Sequence, residues 1–271
     1  MKGIRIWGAC LFAALAAGAV SASPALAVSL PEAGRCVKVA VGKGAYSGGN
    51  CLTHATKSGG TWEWTPVTST EKQTFSGSGG ETTLTTAGHP TIKCIDANFT
   101  GEYTGPKTAT VQIEFQGCQN PTEQPCQSIQ NSTNKTEIAT FPLEAELGFI
   151  RNEEKEGKLL VTVGMDLKPT PPLTDLAAYE CTGSSEVAHL QGSVIGKASP
   201  IDKMTTTLNF LYLATKKGEQ VPTHFQGGPT DTLSTTFTSG LETIGSGASS
   251  LNIKTYVGHN AAPLEIKAID K

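Results

Sequence analysis

Hydrophobic and polar residues alternate along most of this chain with a period of two, in short runs cut by Gly, Pro and Asn clusters. Thr108–Phe115 is the clearest case: Val111, Ile113 and Phe115 fall on one side, Gln112 and Glu114 on the other. Such alternation describes a strand with one face in a core and one in water. The run is expected to form a hairpin with Ile92-Lys93-Cys94-Ile95 and its continuation, turning near Gly105-Pro106. Leu143-Glu144-Ala145-Glu146-Leu147 alternates as well, and so does the run in which Leu159, Val161, Val163, Met165 and Leu167 share a side. The charged stretch Asn152–Gly157 between them predicts a second hairpin, although Pro142 followed by Leu-Glu-Ala-Glu-Leu would also start a short helix.

Further strands are expected over Cys36–Val41, Thr61–Thr65, 187–195, 207–214, 233–241, 251–257 and 264–269. Leu208, Phe210 and Tyr212 take one side of the run from Thr207. Many short strands at regular spacing, without long helical patterns, point to an all-β, antiparallel sandwich or barrel-like domain. No internal repeat is evident. The expectation is one domain over 28–271; two stretches could divide it, the polar run from Gln119 through Thr136 and, above all, the proline-rich stretch near 168–175.

The first 27 residues break this pattern. Lys2 and Arg5 precede an apolar run from Ile6 to Ala17, and small residues lead to Ala25-Leu26-Ala27. This is the layout of a cleavable export signal, cut before Val28. A membrane anchor would need about 20 apolar residues, and this run ends in Ser21, Ser23 and Pro24. The predicted product is therefore secreted, extracellular and soluble, with no membrane span after cleavage. Loss of Cys10 with the leader leaves Cys36, Cys51, Cys94, Cys118, Cys126 and Cys181, an even set that reads as three disulfides in an oxidising compartment. Local loops favour Cys36–Cys51 and Cys118–Cys126, with Cys94–Cys181 as a long-range clasp. No C-x-x-C pair or finger-spaced histidine supports a metal reading.

Charge narrows the partners. The formal net charge is −3, and it becomes more negative once the basic leader is gone. Mild acidity without a basic cluster argues against nucleic acid. Gly42-Lys43-Gly44-Ala45-Tyr46-Ser47-Gly48-Gly49 fits neither phosphate-loop spacing and is expected to be a flexible loop. No cofactor is expected.

Several segments together resemble a family of secreted, uncharacterised proteins of soil actinobacteria. They are Gly34-Arg35-Cys36-Val37-Lys38-Val39, Gly59-Gly60-Thr61-Trp62-Glu63-Trp64, Ile92-Lys93-Cys94, Gly101–Lys107, Phe115-Gln116-Gly117-Cys118, Pro142-Leu143-Glu144, Leu147-Gly148, Gly192–Gly196 and Leu264–Ala268. The resemblance implies a bacterial extracellular setting and no activity. In that setting the glycosylation-type sequons at Asn98, Asn131 and Asn134 are incidental.

Candidate chemistry is sparse. There is no G-x-S-x-G elbow, no H-E-x-x-H and no calcium-loop motif. Nothing in the spacing of His54, His89, His189, His224 and His259 selects a catalytic triad. Glu144 and Glu146, two apart on a strand, would stand roughly 6–7 Å apart, within the range of a glycosidase pair; a solvated polar face explains them too. Trp62 and Trp64 share a side, and with Tyr46 and Tyr103 they are the candidate ligand-binding residues. Flat aromatic rings exposed on a strand stack on sugar rings, whereas the same alternation turned inward makes core. The expected role is non-catalytic binding or surface interaction, with polysaccharide or a cell-envelope component as partner. A glycan-directed extracellular hydrolase and a structural envelope component are the alternatives.

Overall fold

In the computed structural model, residues 29–56, 59–130, 135–253 and 256–270 are described. The leader, its cleavage site and Asn131 to Asn134 lie outside them. The chain is all-β and antiparallel. In order, its strands are β1 (Glu32–Lys38), β2 (Trp62–Pro66), β3 (Thr74–Gly79), β4 (Thr82–Thr86), β5 (Ile92–Cys94), β6 (Asp96–Tyr103) and β7 (Thr108–Gln116). Next come β8 (Cys126–Ser128), β9 (Ile138–Ala139), β10 (Leu143–Lys155), β11 (Lys158–Pro169), β12 (Asp175–Cys181), β13 (Val187–Gly192) and β14 (Val194–Ser199). Then follow β15 (Thr205–Leu211), β16 (Leu213–Ala214), β17 (Gln220–Val221), β18 (Leu233–Ser239), β19 (Glu242–Ile253) and β20 (Tyr256–Lys267).

Pairing runs β15-β14-β11-β10-β7-β6-β3-β20 and returns to β15, so these strands close a barrel. Closure removes the exposed edges that an open sheet would carry. A second sheet, β5-β4-β19-β18-β13-β12-β8, packs beside it. Leu84, Ile92, Tyr179, Leu190 and Leu251 from that sheet meet Phe115 and Ile138 around one small apolar cavity. A single apolar cluster therefore spans both layers. The stretch around 168–175 links β11 of the barrel to β12 of the second sheet.

The alternation in β7 is as expected, with Ala109, Val111, Ile113 and Phe115 buried and Gln112 and Glu114 exposed. Its hairpin turns near Gly105-Pro106 as expected, with the continuation of the Ile92 run, not that run itself, as partner. Thr108–Gln116 pairs with Asp96–Tyr103, whereas Ile92–Cys94 turns away to pair with β4. Leu143–Leu147 is strand rather than helix, and β10 pairs with β11 in the expected hairpin, Leu143 opposite Pro169 and Leu147 opposite Met165.

Three disulfides form: Cys36–Cys51, Cys94–Cys118 and Cys126–Cys181. Only the first matches the pairing expected from local loops. Cys118 and Cys126 are neighbours through a backbone bond, Cys126 N–H to the Cys118 carbonyl at 2.9 Å. Their sulfurs nevertheless diverge. Cys118 reaches β5, and Cys126 bonds its directly opposed residue on β12.

Candidate functional site

The outer branch of the first sheet, β20-β1-β2, is the floor of a small second core. Opposed residues in an antiparallel pair share a face, and alternate residues of one strand do too. Glu32 opposes Lys267, Gly34 opposes Glu265, and Cys36 opposes Trp64. These side chains, with Trp62, therefore line one face. Ala33, Leu264 and Ile266 belong to the main apolar cluster on the barrel side. Segment 40–56 folds back over the charged face. Cys36–Cys51 fastens it. Tyr46 N–H donates to the Trp62 carbonyl at 2.9 Å, and Ala45 N–H donates to Glu63 Oε2 at 2.7 Å. The indole of Trp64 lies on Gly34, where an added Cβ would sit 2.5 Å from the ring, so only glycine fits beneath it.

The resulting chamber is aromatic and charged. Lys267 is 2 % exposed. Its ammonium donates to Tyr46 Oη at 2.5 Å and to Asp270 Oδ1 at 3.0 Å. It lies 4.2 Å from the Tyr46 ring centroid and 5.4 Å from that of Trp64, a cation–π arrangement. Tyr46 stacks on His54 at 4.6 Å, and His54 Nε2 is 3.2 Å from Asp270. Trp64 Nε1 donates to Glu32 Oε1. Glu265 is fully buried, and neither of its oxygens has a hydrogen-bond partner.

Burial opposes charge on Lys267, but its bonds to Tyr46 and Asp270 outweigh that and hold its pKa above the ordinary value. Asp270 is likewise opposed by burial, and Lys267 with His54 brings it below the usual carboxylate value. Burial raises Tyr46. It also raises Glu32, despite the Trp64 bond. Glu265 is pushed up to about 7, first by burial and then by the Asp202 charge. One firmly held cation thus pairs with ionised Asp270, beside two carboxyls, Glu32 and Glu265, whose ionised forms are disfavoured.

Of the four aromatic candidates, Tyr46, Trp62 and Trp64 meet in this chamber. Tyr103 does not. It is 2 % exposed inside the barrel, with its ring 5.1 Å from that of Phe75, so no ligand reaches it. Trp62 and Trp64 are half-buried, packed on the chamber rather than on the barrel core. Glu32, Glu265, Lys267 and Asp270 escaped the sequence reading, and nothing in it singled out His54 among the histidines. The signal for Glu265 and Lys267 was the alternation Leu264-Glu265-Ile266-Lys267-Ala268, which reads as a face turned to water; segment 40–56 covers that face instead.

The remaining candidates are simpler surfaces. Glu144 and Glu146 do point outward together, in a shallow depression of about 270 Å³ with Thr104, Thr108 and Thr110. Lys168 holds Glu146 at 3.2 Å, so the pair flanks a barrel wall, not a substrate cleft. His189 has an acid and a hydroxyl on its two nitrogens, Asp175 at 2.7 Å and Thr238 at 3.3 Å. The three lie across one sheet face, where the strand amides are engaged in pairing with β12 and β18. Asp175 also accepts from Gln191 at 2.7 Å, as in a cross-strand polar ladder.

Among the described residues no three His, Cys, Asp or Glu side chains gather as a metal site, and no helix is long and apolar enough to cross a membrane. Compared with protein-family models, curated proteins and solved structures, the chain matches none.

Proposed function

We propose that this is an exported, non-catalytic binding protein that holds a saccharide of an extracellular or cell-envelope polysaccharide at the rim of the aromatic chamber. The observation that carries this reading is that half-buried Trp62 packs in one cluster with Tyr46, on which His54 stacks, and that His54 and its partner Asp270 keep side chains 53 % and 39 % exposed. An indole face suits the apolar face of a pyranose, while a carboxylate and an imidazole suit its hydroxyls. The export signal over residues 1–27 and three disulfides support an extracellular setting. So does the resemblance to secreted actinobacterial proteins.

The test is retention on immobilised polysaccharides and purified cell wall. The protein should be retained, and Trp62→Ala should lose retention at least tenfold while keeping its thermal midpoint within about 2 °C, a shift of at most about 1 kcal/mol. Elution of the native protein in the void volume from every matrix would refute the reading. Unfolding of Trp62→Ala together with undiminished retention by His54→Ala would make the tryptophan purely structural.

A further inference from the structure

A second polar cluster lies on the barrel's outer wall, under segment 222–232. Asp166 stands in β11 between Met165 and Leu167, which belong to the main apolar cluster. Its side chain takes the opposite face, with that of Lys168. Segment 222–232 crosses this wall. Phe225 lies over Gly148, where an added Cβ would meet its ring at 2.4 Å, and Gln226 N–H donates to the Phe149 carbonyl at 2.6 Å. The same segment brings Asp231 to the site.

Asp166 is only 6 % exposed, and its Oδ1 has no hydrogen-bond partner. After burial itself, the Asp231 charge is what most disfavours the ionised Asp166 carboxyl. The nearby ammonium, Lys168, bonds Glu146. Ser193, 9 % exposed, donates to Asp231 Oδ1 at 2.9 Å. Asp231 also lines an open groove of about 670 Å³, which gives solvent a route to this side chain.

We propose that Asp166, Asp231 and the Ser193 hydroxyl bind a hard divalent cation, Ca²⁺ by its chemistry, which ties segment 222–232 to the barrel wall. The donors are all oxygen, with no imidazole or thiolate, the set that suits Ca²⁺ rather than zinc or copper. Asp166 opposes Ile195 in the β11–β14 pair, so Ser193, two residues before Ile195, stands beside Asp166 on the same wall, and its bond to Asp231 brings the second carboxylate there; the two carboxylates, one of them buried, leave negative charge that a cation neutralises. The unpartnered Asp166 Oδ1 is a coordination position that no protein donor fills. Ca²⁺ takes six to eight oxygens, so backbone carbonyls and water complete the shell.

The test uses the full secreted chain, freed of metal with chelator and titrated with CaCl₂. Affinity in the extracellular range, about 10⁻⁴–10⁻³ M, should raise the thermal midpoint by several degrees at about 10 mM through linkage. Asp166→Asn and Asp231→Asn should each abolish the rise, and Ser193→Ala should weaken binding several-fold. Asp166→Asn keeps the side-chain shape and removes a buried charge, so it should fold. Tb³⁺ emission excited through tyrosine should fall in Tyr212→Phe, because Tyr212 is buried within reach of the Asp166 charge. A wild-type midpoint indifferent to Ca²⁺ would overturn the proposal. A rise surviving in both asparagine variants, or Tb³⁺ emission unchanged by Tyr212→Phe, would place the ion elsewhere and overturn it too.

Discussion

Strand β20 serves two interiors that differ in everything except burial. Leu264 and Ile266 are 0 % exposed in the barrel's apolar cluster, while Glu265 and Lys267, on the other face, are 0 % and 2 % exposed. The barrel interior is held by apolar area and close packing, which need no partner geometry. The chamber is held by a disulfide, by hydrogen bonds to one ammonium, and by aromatic rings around it. Burial therefore says nothing by itself about chemistry. A residue pattern that looks half-solvated becomes a charged interior when a covalently fastened loop closes over it.

Breaking the barrel side should have the largest effect. Phe99 is 3 % exposed and packs against Phe75, ring centroids 6.4 Å apart. Phe99→Ala should cost about 3–5 kcal/mol through lost burial and a residual cavity. Denaturant unfolding should show a lower midpoint. Chamber and barrel should unfold together, because β20 and β1 are shared. A cost below about 1 kcal/mol would mean that barrel packing is not the main source of stability.

Breaking the chamber side should be more local. The Cys36–Cys51 bridge closes a sequence separation of 15, for which loop-closure entropy is worth about 3 kcal/mol. In Cys36→Ser/Cys51→Ser, hydrogen exchange should quicken over 40–56 and around Trp62 and Trp64. Amides in β7 should keep their protection, since that strand does not touch the bridge. Equal loss of protection in both regions would merge the two interiors into one cooperative unit.

This contrast also separates what could be read in the sequence from what could not. Alternation placed Val111, Ile113 and Phe115 inward because a strand's period of two is local. It placed Trp62 and Trp64 on one face for the same reason. Disulfide partners, and what covers a face, are set by residues distant in sequence. Cys118 and Cys126, eight residues apart, looked like a loop closure, yet adjacent backbones send their sulfurs to different strands of the second sheet, β5 and β12. Glu265 and Lys267 looked solvated because the covering segment lies more than 200 residues earlier. Tyr103 continues the alternation of β6 into the barrel, a phase that could not be separated from exposure until its partner strands were known.

The smallest and sharpest test of the comparison is to remove charge from the chamber without changing its shape. Glu265 has its pKa raised from 4.5 to about 7, so between those values the folded state holds a proton that the unfolded state has released. Its contribution to stability is therefore fully present at acid pH, falls as pH rises through that window, and levels off above about 7. Asp166 is also raised to about 7, by burial and then Asp231, and in chelator it contributes a slope of the same sign. Glu265→Gln should remove only the first component. At pH 8 the variant should be more stable than wild type by about 3 kcal/mol, the size of the shift from 4.5 to about 7, in which the attraction to Lys267 is already counted. At pH 4, where Glu265 is protonated in both states, the two should unfold alike. Thermal unfolding from pH 4 to pH 8 measures the difference. A variant destabilised equally at both ends would show that Glu265 is ionised in the chamber and paired there, so that the second interior is balanced by charge rather than kept neutral by a proton.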